Sequence, residues 1–317
     1  LGIQDKFKRG RPPSEDKEAR RNKEKALKKP NPLLIEAKRI LARKRFGQNF
    51  LIHQGTIDGI IRCLDLNPED AVLEIGPGLG FLTRGLIPKV KTLTAVELDY
   101  RMVDYLSDYF RRTPLWDNLT LVSQDIMSVD VPSLMQAERF KVVGNLPYNI
   151  TSGVLFKFAG EMTQTDMSLR QRVQQLTFMV QKEVGERITA PPGSKTYGPL
   201  SIALQYWFDC QLEFLVPPEV FEPRPKVMSV VISLYPRQEG LCPVQDLGLM
   251  QRVVRTTFQQ RRKMLRNSLL QNGFLHVDHL DAVCQVAGVD PQARPESLSI
   301  PDFARLADAI HALSCQA

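Results

Sequence analysis

From Ala71 onward the chain alternates short apolar runs with helix-length segments, and this alternation constrains its fold more than any other feature of the sequence. The runs span residues 71–75, 92–98, 119–123, 140–144 and 176–180. Such a pattern predicts a parallel sheet covered on both faces. Two later runs, 211–216 and 227–235, have no helix between them and are joined by a proline-rich segment, which predicts an antiparallel finish at the sheet edge. After Pro236 the segments 244–270, 277–287 and 301–313 read as helices with no strand between them. The expected architecture is therefore α/β: a modified doubly wound, Rossmann-like sheet with helices on both faces, followed by a small all-helical C-terminal domain. The expected boundaries are 1–41 for a basic arm, 42–240 for the sheet domain and 241–317 for the helical domain.

With 317 residues, 43% of them hydrophobic, the chain can bury a substantial core and suits about two domains. No apolar run approaches the ~20 residues of a membrane span. The charged, proline-bearing N-terminal stretch also lacks the apolar segment of a secretory leader. Cys63, Cys210, Cys242, Cys284 and Cys315 are scattered, odd in number and without a Cys-x-x-Cys pair. That predicts a reducing, cytoplasmic setting, with an organelle interior as the alternative, rather than a disulfide framework. His276 and His279 have no nearby partners of ligand type, so no metal site is expected. The formal net charge of +7 is uneven: residues 1–45 hold 16 Lys and Arg against 6 Asp and Glu, leaving 26 of 42 basic and 29 of 35 acidic residues for the remainder. Prolines and few apolar residues before Leu33 predict a disordered arm that contacts nucleic acid or simply solubilises. Residues 33–45 read equally as a short basic helix or as linker.

Chemistry enters at the turn after the first strand, Glu74-Ile75-Gly76-Pro77-Gly78-Leu79-Gly80. Glycines there permit positive φ and close ligand approach, at the carboxyl end of a strand, where open α/β sheets bind ligands. Glu97 follows Gly76 by 21 residues, the separation at which an acidic side chain meets nucleotide ribose hydroxyls. The turn alone leaves open a dinucleotide enzyme or a plain tight turn. However, the spacing is G-x-G-x-G rather than G-x-G-x-x-G, and Pro77 removes an N–H that a pyrophosphate would use. A donor without phosphates, S-adenosyl-L-methionine, fits better. Asp125, after the third strand, then accepts from its adenine amine; the alternative for Asp125 is a turn cap.

Asn145-Leu146-Pro147-Tyr148 follows the fourth strand. The exocyclic N6 of adenine attacks reluctantly because its lone pair is delocalised into the ring. The Asn145 side-chain oxygen and the Leu146 carbonyl, favoured in an extended conformation by Pro147, can hold its two hydrogens and stabilise the positive charge growing on N6. Tyr148 offers a face on which the base stacks. Without a nucleotide site upstream, the same four residues read as a turn. Phe221, in a proline-stiffened loop, is expected to stand exposed as a second stacking platform, or else to pack, while Arg224 and Lys226 meet phosphates. Arg255, Arg261, Arg262, Lys263 and Arg266 lie in a stretch, 247–277, without acidic residues. Solvated faces usually mix signs, so this patch is expected to contact RNA phosphates.

Several motifs occur in order: Arg43-Lys44-Arg45-Phe46-Gly47-Gln48-Asn49-Phe50-Leu51, the Glu74 turn, Glu97-Leu98-Asp99, Gln124-Asp125, residues 144–149, Gln181-Lys182-Glu183-Val184, Tyr197-Gly198 and the loop 221–227. Together they resemble the KsgA-type small-subunit rRNA adenine N6,N6-dimethyltransferases over roughly residues 40–317. The resemblance implies a class I methyltransferase fold, S-adenosyl-L-methionine as donor and S-adenosyl-L-homocysteine as product. It further implies dimethylation of two adjacent adenosines in the 3′-terminal hairpin of small-subunit rRNA, within a pre-ribosomal small subunit, late in assembly. Donor contacts from Asn49, Leu51, Gly76, Glu97, Asp125 and Asn145 are implied as well, with Gly78 in the turn. For Asn49 and Leu51 the resemblance is the whole warrant, since residues 47–49 otherwise read as a polar turn before an apolar helix. Glu222 and Met228 depart from the family's usual residues. Two alternatives stand: the erythromycin-resistance type, acting on a large-subunit rRNA adenine, and a binding protein on the same fold, such as an assembly factor or mitochondrial transcription factor. The segment 258–267 disfavours the first and the intact tetrad the second. A monomer is expected.

Overall fold

The computed structural model describes residues 49–160 and 168–314. Its strands are β1 (Phe50–Leu51), β2 (Ala71–Ile75), β3 (Thr92–Glu97), β4 (Leu119–Ser123), β5 (Phe140–Asn145), β6 (Val173–Gln181), β7 (Phe208–Val216), β8 (Phe221–Glu222) and β9 (Ser229–Pro236). Seven of them form one sheet in the order β4-β3-β2-β5-β6-β9-β7. Strands β2 to β6 are parallel, and β9 and β7 close the edge antiparallel. Every residue of β2 is buried, as a central strand covered on both faces must be. The chain runs outward from β2 to β4 and then returns to β5 on the other side. That reversal makes a switch point beside β2, where the ends of β2, β3 and β5 lie together.

Around the sheet run α1 (Gln54–Cys63), α2 (Phe81–Leu86), α3 (Tyr100–Phe110), α4 (Val131–Leu134), α5 (Thr151–Ala159), α6 (Ser168–Arg172), α7 (Lys182–Ile188) and α8 (Pro199–Trp207). Beyond β9 come α9 (Leu247–Gln259), α10 (Leu265–Leu269), α11 (Val277–Ala287) and α12 (Ile300–Ser314). Local chemistry sets several ends. Asp99 caps α3 by accepting from Arg101 N–H, and Asp246 caps α9 by accepting from Leu249 N–H. Gly288, left-handed at φ 64°, ends α11. The C-terminal helices share one continuous apolar core with the sheet. Across that junction the Tyr197 ring meets Phe258 edge to face and Phe258 meets Phe303 at a tilt, with ring centroids 6.3 and 6.0 Å apart.

The expected helix over 244–270 is corrected to two. α9 starts at its Asp246 cap and stops at Gln259, although no glycine or proline breaks it. The cause is tertiary: Leu265 N–H donates to Ala293 O (2.8 Å) and Arg266 N–H to Pro291 O (3.0 Å), bonds that a continuous helix would forfeit. Leu98 falls outside its strand, which ends at Glu97. β1 and β8, neither expected from the sequence, pair antiparallel with Phe50 opposite Glu222 and Leu51 opposite Phe221. The basic arm and the segment 33–45 lie outside the described residues. Among the described residues, no helix is long and apolar enough to cross a membrane.

Candidate active site

At the switch point lies a cleft of about 540 Å3, within the size range of small-molecule sites. Asn49, Leu51, Gly76, Gly78, Glu97, Asp125, Asn145, Leu146, Pro147, Tyr148 and Phe221, drawn from six separate stretches of chain, all line it.

The glycine turn forms one wall. Gly76, Gly78 and Gly80 have φ of 68°, 54° and 73°, a region costly for other residues. A Cβ on Gly78 would also stand 2.9 Å from the Phe50 ring. The turn's three glycine N–H groups are spent inside the protein: Gly76 donates to Val96 O (2.9 Å), Gly78 to Glu97 Oε2 (3.0 Å) and Gly80 to Pro77 O (2.8 Å). They are not presented to a pyrophosphate. The lining includes four acidic side chains, Glu74, Glu97, Asp99 and Asp125, and no Lys, Arg or His among the described residues; burial keeps the Glu74 carboxyl protonated near neutral pH, so the charge comes from the others. A cleft with this charge suits a cationic ligand such as a sulfonium and repels a dinucleotide's phosphates.

Glu97 is 2% exposed, and its second oxygen accepts from Asp99 N–H (2.9 Å). The side chain therefore orders the turn as well as lining the cleft, a role its spacing from Gly76 does not reveal. Burial raises its carboxyl above the usual range, against the pull of the Asp99 and Gly78 N–H groups. Glu74, unassigned by sequence reasoning, is 1% exposed, and its Oε2 has no hydrogen-bond partner among the described residues. Burial pushes its carboxyl up to about 8. Asp125 is exposed and Oδ1 accepts from Met127 N–H (2.9 Å), so it serves as a turn cap while also lining the cleft.

The opposite wall is the tetrad. Asn145 Nδ2 donates to the backbone carbonyl of Asn49 (3.1 Å). Because that carbonyl can only accept, the amide must present its NH2 there, which leaves Oδ1 as the group available to a ligand. Leu146 N–H is fixed by Met179 O (3.2 Å), and among the described residues nothing donates to the Leu146 carbonyl. Pro147 O is occupied by Ile150 N–H (3.1 Å) and by the Thr151 hydroxyl (3.2 Å). Two acceptors of the kind an exocyclic amine requires thus stand side by side. Tyr148 is half-buried, its hydroxyl 3.1 Å from Ser229 Oγ. Phe221, expected to stand exposed, is 2% exposed instead, because pairing of β8 with β1 draws the loop down onto the cleft.

The basic residues lie apart from the cleft. Arg224 and Lys226 are exposed on the loop before β9, and Arg262, Lys263 and Arg266 are exposed around the start of α10. Arg261 differs: its Nε pairs with Glu296 Oε2 (2.6 Å) and it donates to Ser194 O (3.2 Å), joining the 193–198 segment to the C-terminal helices. Arg255 and Arg261 line a second hollow, of about 580 Å3, with Arg187 and Lys195, which sequence reasoning did not single out.

Residues 39–312 match the family model described as ribosomal RNA adenine dimethylase. The chain is 44% identical to the ribosomal RNA small subunit methyltransferase A of Acinetobacter baylyi, over 84% of this chain and 92% of that one. To the protein of the same name from Syntrophotalea carbinolica it is 42% identical, over 84% and 96%. It superposes on the crystal structure of the 23S rRNA methyltransferase ErmE with a TM-score of 0.65 and 26% identity, covering 83% of this chain and all of that one. A dimethyladenosine transferase from Plasmodium falciparum shares the fold, with TM-score 0.65 and 24% identity over 80% and 94%. An acid-lined cleft at the switch point, a pair of acceptors at Asn145 and Leu146 beside it and these relatives agree: the chain belongs to the ribosomal RNA adenine dimethylase family, enzymes that take methyl groups from S-adenosyl-L-methionine.

Proposed function

We propose that this chain dimethylates N6 of two adjacent adenosines in the 3′-terminal hairpin of small-subunit (16S-type) rRNA, acting as a monomer on a pre-ribosomal small subunit late in its assembly, in the cytoplasm. One observation carries the chemistry: Asn145 Nδ2 is committed to Asn49 O, so Oδ1 is left to accept from the substrate amine. The relatives at 42–44% identity, named for the small subunit, support that target over the large subunit.

When bound, S-adenosyl-L-methionine supplies an electrophilic methyl group and leaves as S-adenosyl-L-homocysteine. Asn49, Leu51, Gly76, Gly78, Glu97 and Asp125 hold that donor. The target base is flipped out of its helix, since N6 is poorly reached in a stack, and is gripped between Tyr148 and Phe221. Asn145 Oδ1 and the Leu146 carbonyl hold the N6 hydrogens as the nitrogen pyramidalises, and they stabilise the charge that develops as its N–C bond forms. A proton then leaves N6 for solvent, so no strong general base is required. Arg224, Lys226, Arg255, Arg262, Lys263 and Arg266, the last four in the helical RNA-binding domain (241–317), meet the RNA backbone, whereas Arg261 is held by Glu296 and Ser194. Primer extension across both rRNAs, in cells with and without the protein, tests the reading, because dimethyladenosine blocks the polymerase. A stop in the small-subunit 3′ hairpin that vanishes without the protein is expected. Loss of a large-subunit stop instead would favour the erythromycin-resistance type, and no change would favour a binding protein.

A further inference from the structure

Of the aromatic residues that line the cleft, Tyr148 and Phe221, the two proposed to grip the base, come from different elements and are held differently. Phe221 is buried and its backbone is paired with Leu51. Tyr148 is half-buried on the tetrad, and its ring can tilt about its own side-chain bonds unless something holds the far end. The hydroxyl of Ser229, 3.1 Å from that of Tyr148, does so. Ser229 is 1% exposed and opens β9 in register with Gln181 at the end of β6 and Val216 at the end of β7, so strands on both sides hold it in place. It also stands where the loop bearing Phe221 rejoins the sheet, next to Met228, whose carbonyl accepts from Lys182 N–H (3.0 Å). A hydroxyl buried in a central strand is costly unless it is bonded, and the partner found for this one is Tyr148.

We propose that Ser229 is a positioning residue for methyl transfer: its hydroxyl fixes the tilt of the Tyr148 ring, so that a stacked adenine presents N6 to Asn145 Oδ1 and the Leu146 carbonyl. This rests on the function proposed above. The same serine anchors the root of the Phe221 loop, so it sets the geometry between the two stacking faces while touching neither substrate.

The test is single-turnover methylation of unmethylated small-subunit particles by the full chain, with donor and particle affinities measured alongside. Ser229→Ala and Tyr148→Phe each remove the same hydrogen bond from opposite ends, and Tyr148→Phe keeps the stacking ring. Each is expected to slow methyl transfer roughly 3- to 10-fold, the range of one neutral hydrogen bond, with both affinities within about 2-fold of wild type. The double variant is expected to be no slower than either single one, because one interaction is lost in all three. Rates that multiply in the double variant would overturn the proposal, since a serine acting only on stability would add its own defect. A wild-type rate in folded Tyr148→Phe would overturn it even if Ser229→Ala failed to fold. If the wild-type chain transfers no methyl group to these particles, the underlying functional reading fails instead.

Discussion

At the scale of single residues, the site works by committing polar atoms. Asn145 gives its NH2 to Asn49 O, which leaves Oδ1 as the acceptor that the proposed reaction requires. Asn145→Ala is expected to lower turnover by about 10²-fold, the order seen when one transition-state hydrogen bond is deleted, while particle affinity stays within a few-fold. Single-turnover rates beside binding curves check this, and near-normal turnover in the folded variant would favour a binding protein. Glu74 behaves differently because burial holds its carboxyl up to about 8, against about 4.3 for a glutamate in an unfolded chain. Below both values the carboxyl is protonated in either state. Between them the unfolded chain gives up its proton and the native one keeps it, so stability falls as pH rises from about 5 to about 8. Glu74→Gln, which cannot titrate, is expected to flatten that decline, by on the order of a few kcal/mol across the window. Urea midpoints at pH 5.5 and 8.5 for both proteins decide it, and equal losses would assign the titration elsewhere. The sequence singled out Asn145, which lines the cleft with Nδ2 bonded to Asn49 O, because amine chemistry demands particular atoms. It did not reveal Glu74, whose significance lies in burial, or Ser229, which is 81 residues from Tyr148 in the chain.

At the scale of elements, the basic stretch after α9 divides in two. Arg262, Lys263 and Arg266 are exposed, whereas Arg261 is tied to Glu296 and Ser194. Replacing the three exposed residues with Gln is expected to reduce the salt slope of RNA binding by up to ~0.7–0.9 per lost phosphate contact and to leave thermal stability unchanged. Arg261→Gln is expected to lower stability by about 1 kcal/mol, discounted for its partial exposure, with little change in slope. Salt titrations of RNA affinity and thermal melts for both variants separate the two roles; an unaltered slope in the triple variant would leave its charges as a solvated face. Sequence periodicity treats all four charges alike because it records residue type, not partner. The same limit explains the helix read through 244–270: nothing local announces that the backbone at 265–266 bonds to 291–293 instead. The parallel strands were legible for the opposite reason. Burial on both faces demands apolar runs, and β2, β3, β5 and β6 show them, while β4, at the sheet edge, buries only Leu119. β1 and β8, two residues each, are too short to carry a pattern, yet they bring Leu51 to Phe221 and close the cleft.

At the scale of the whole molecule, charge is distributed by segment. The full chain carries a formal +7, and residues 1–41 contribute 13 basic against 6 acidic side chains, so the chain without them is neutral. Among the described residues, the lining of the cleft runs from Asn49 to Phe221. A neutral protein approaching a polyanion loses long-range attraction, while short-range contacts in the cleft and along α10 are untouched. Removing residues 1–41 is therefore expected to slow association with small-subunit particles by about 10-fold or more at low salt, with the difference shrinking as the Debye length falls to ~8 Å near 0.15 M. Donor affinity and the single-turnover rate at saturating enzyme should match the full chain. Stopped-flow association at 20 and 200 mM salt, beside donor calorimetry, reads both quantities. An association rate that is unchanged at low salt would make the arm a solubilising tail, and a fall in the saturated methylation rate would show that it shapes the catalytic complex itself.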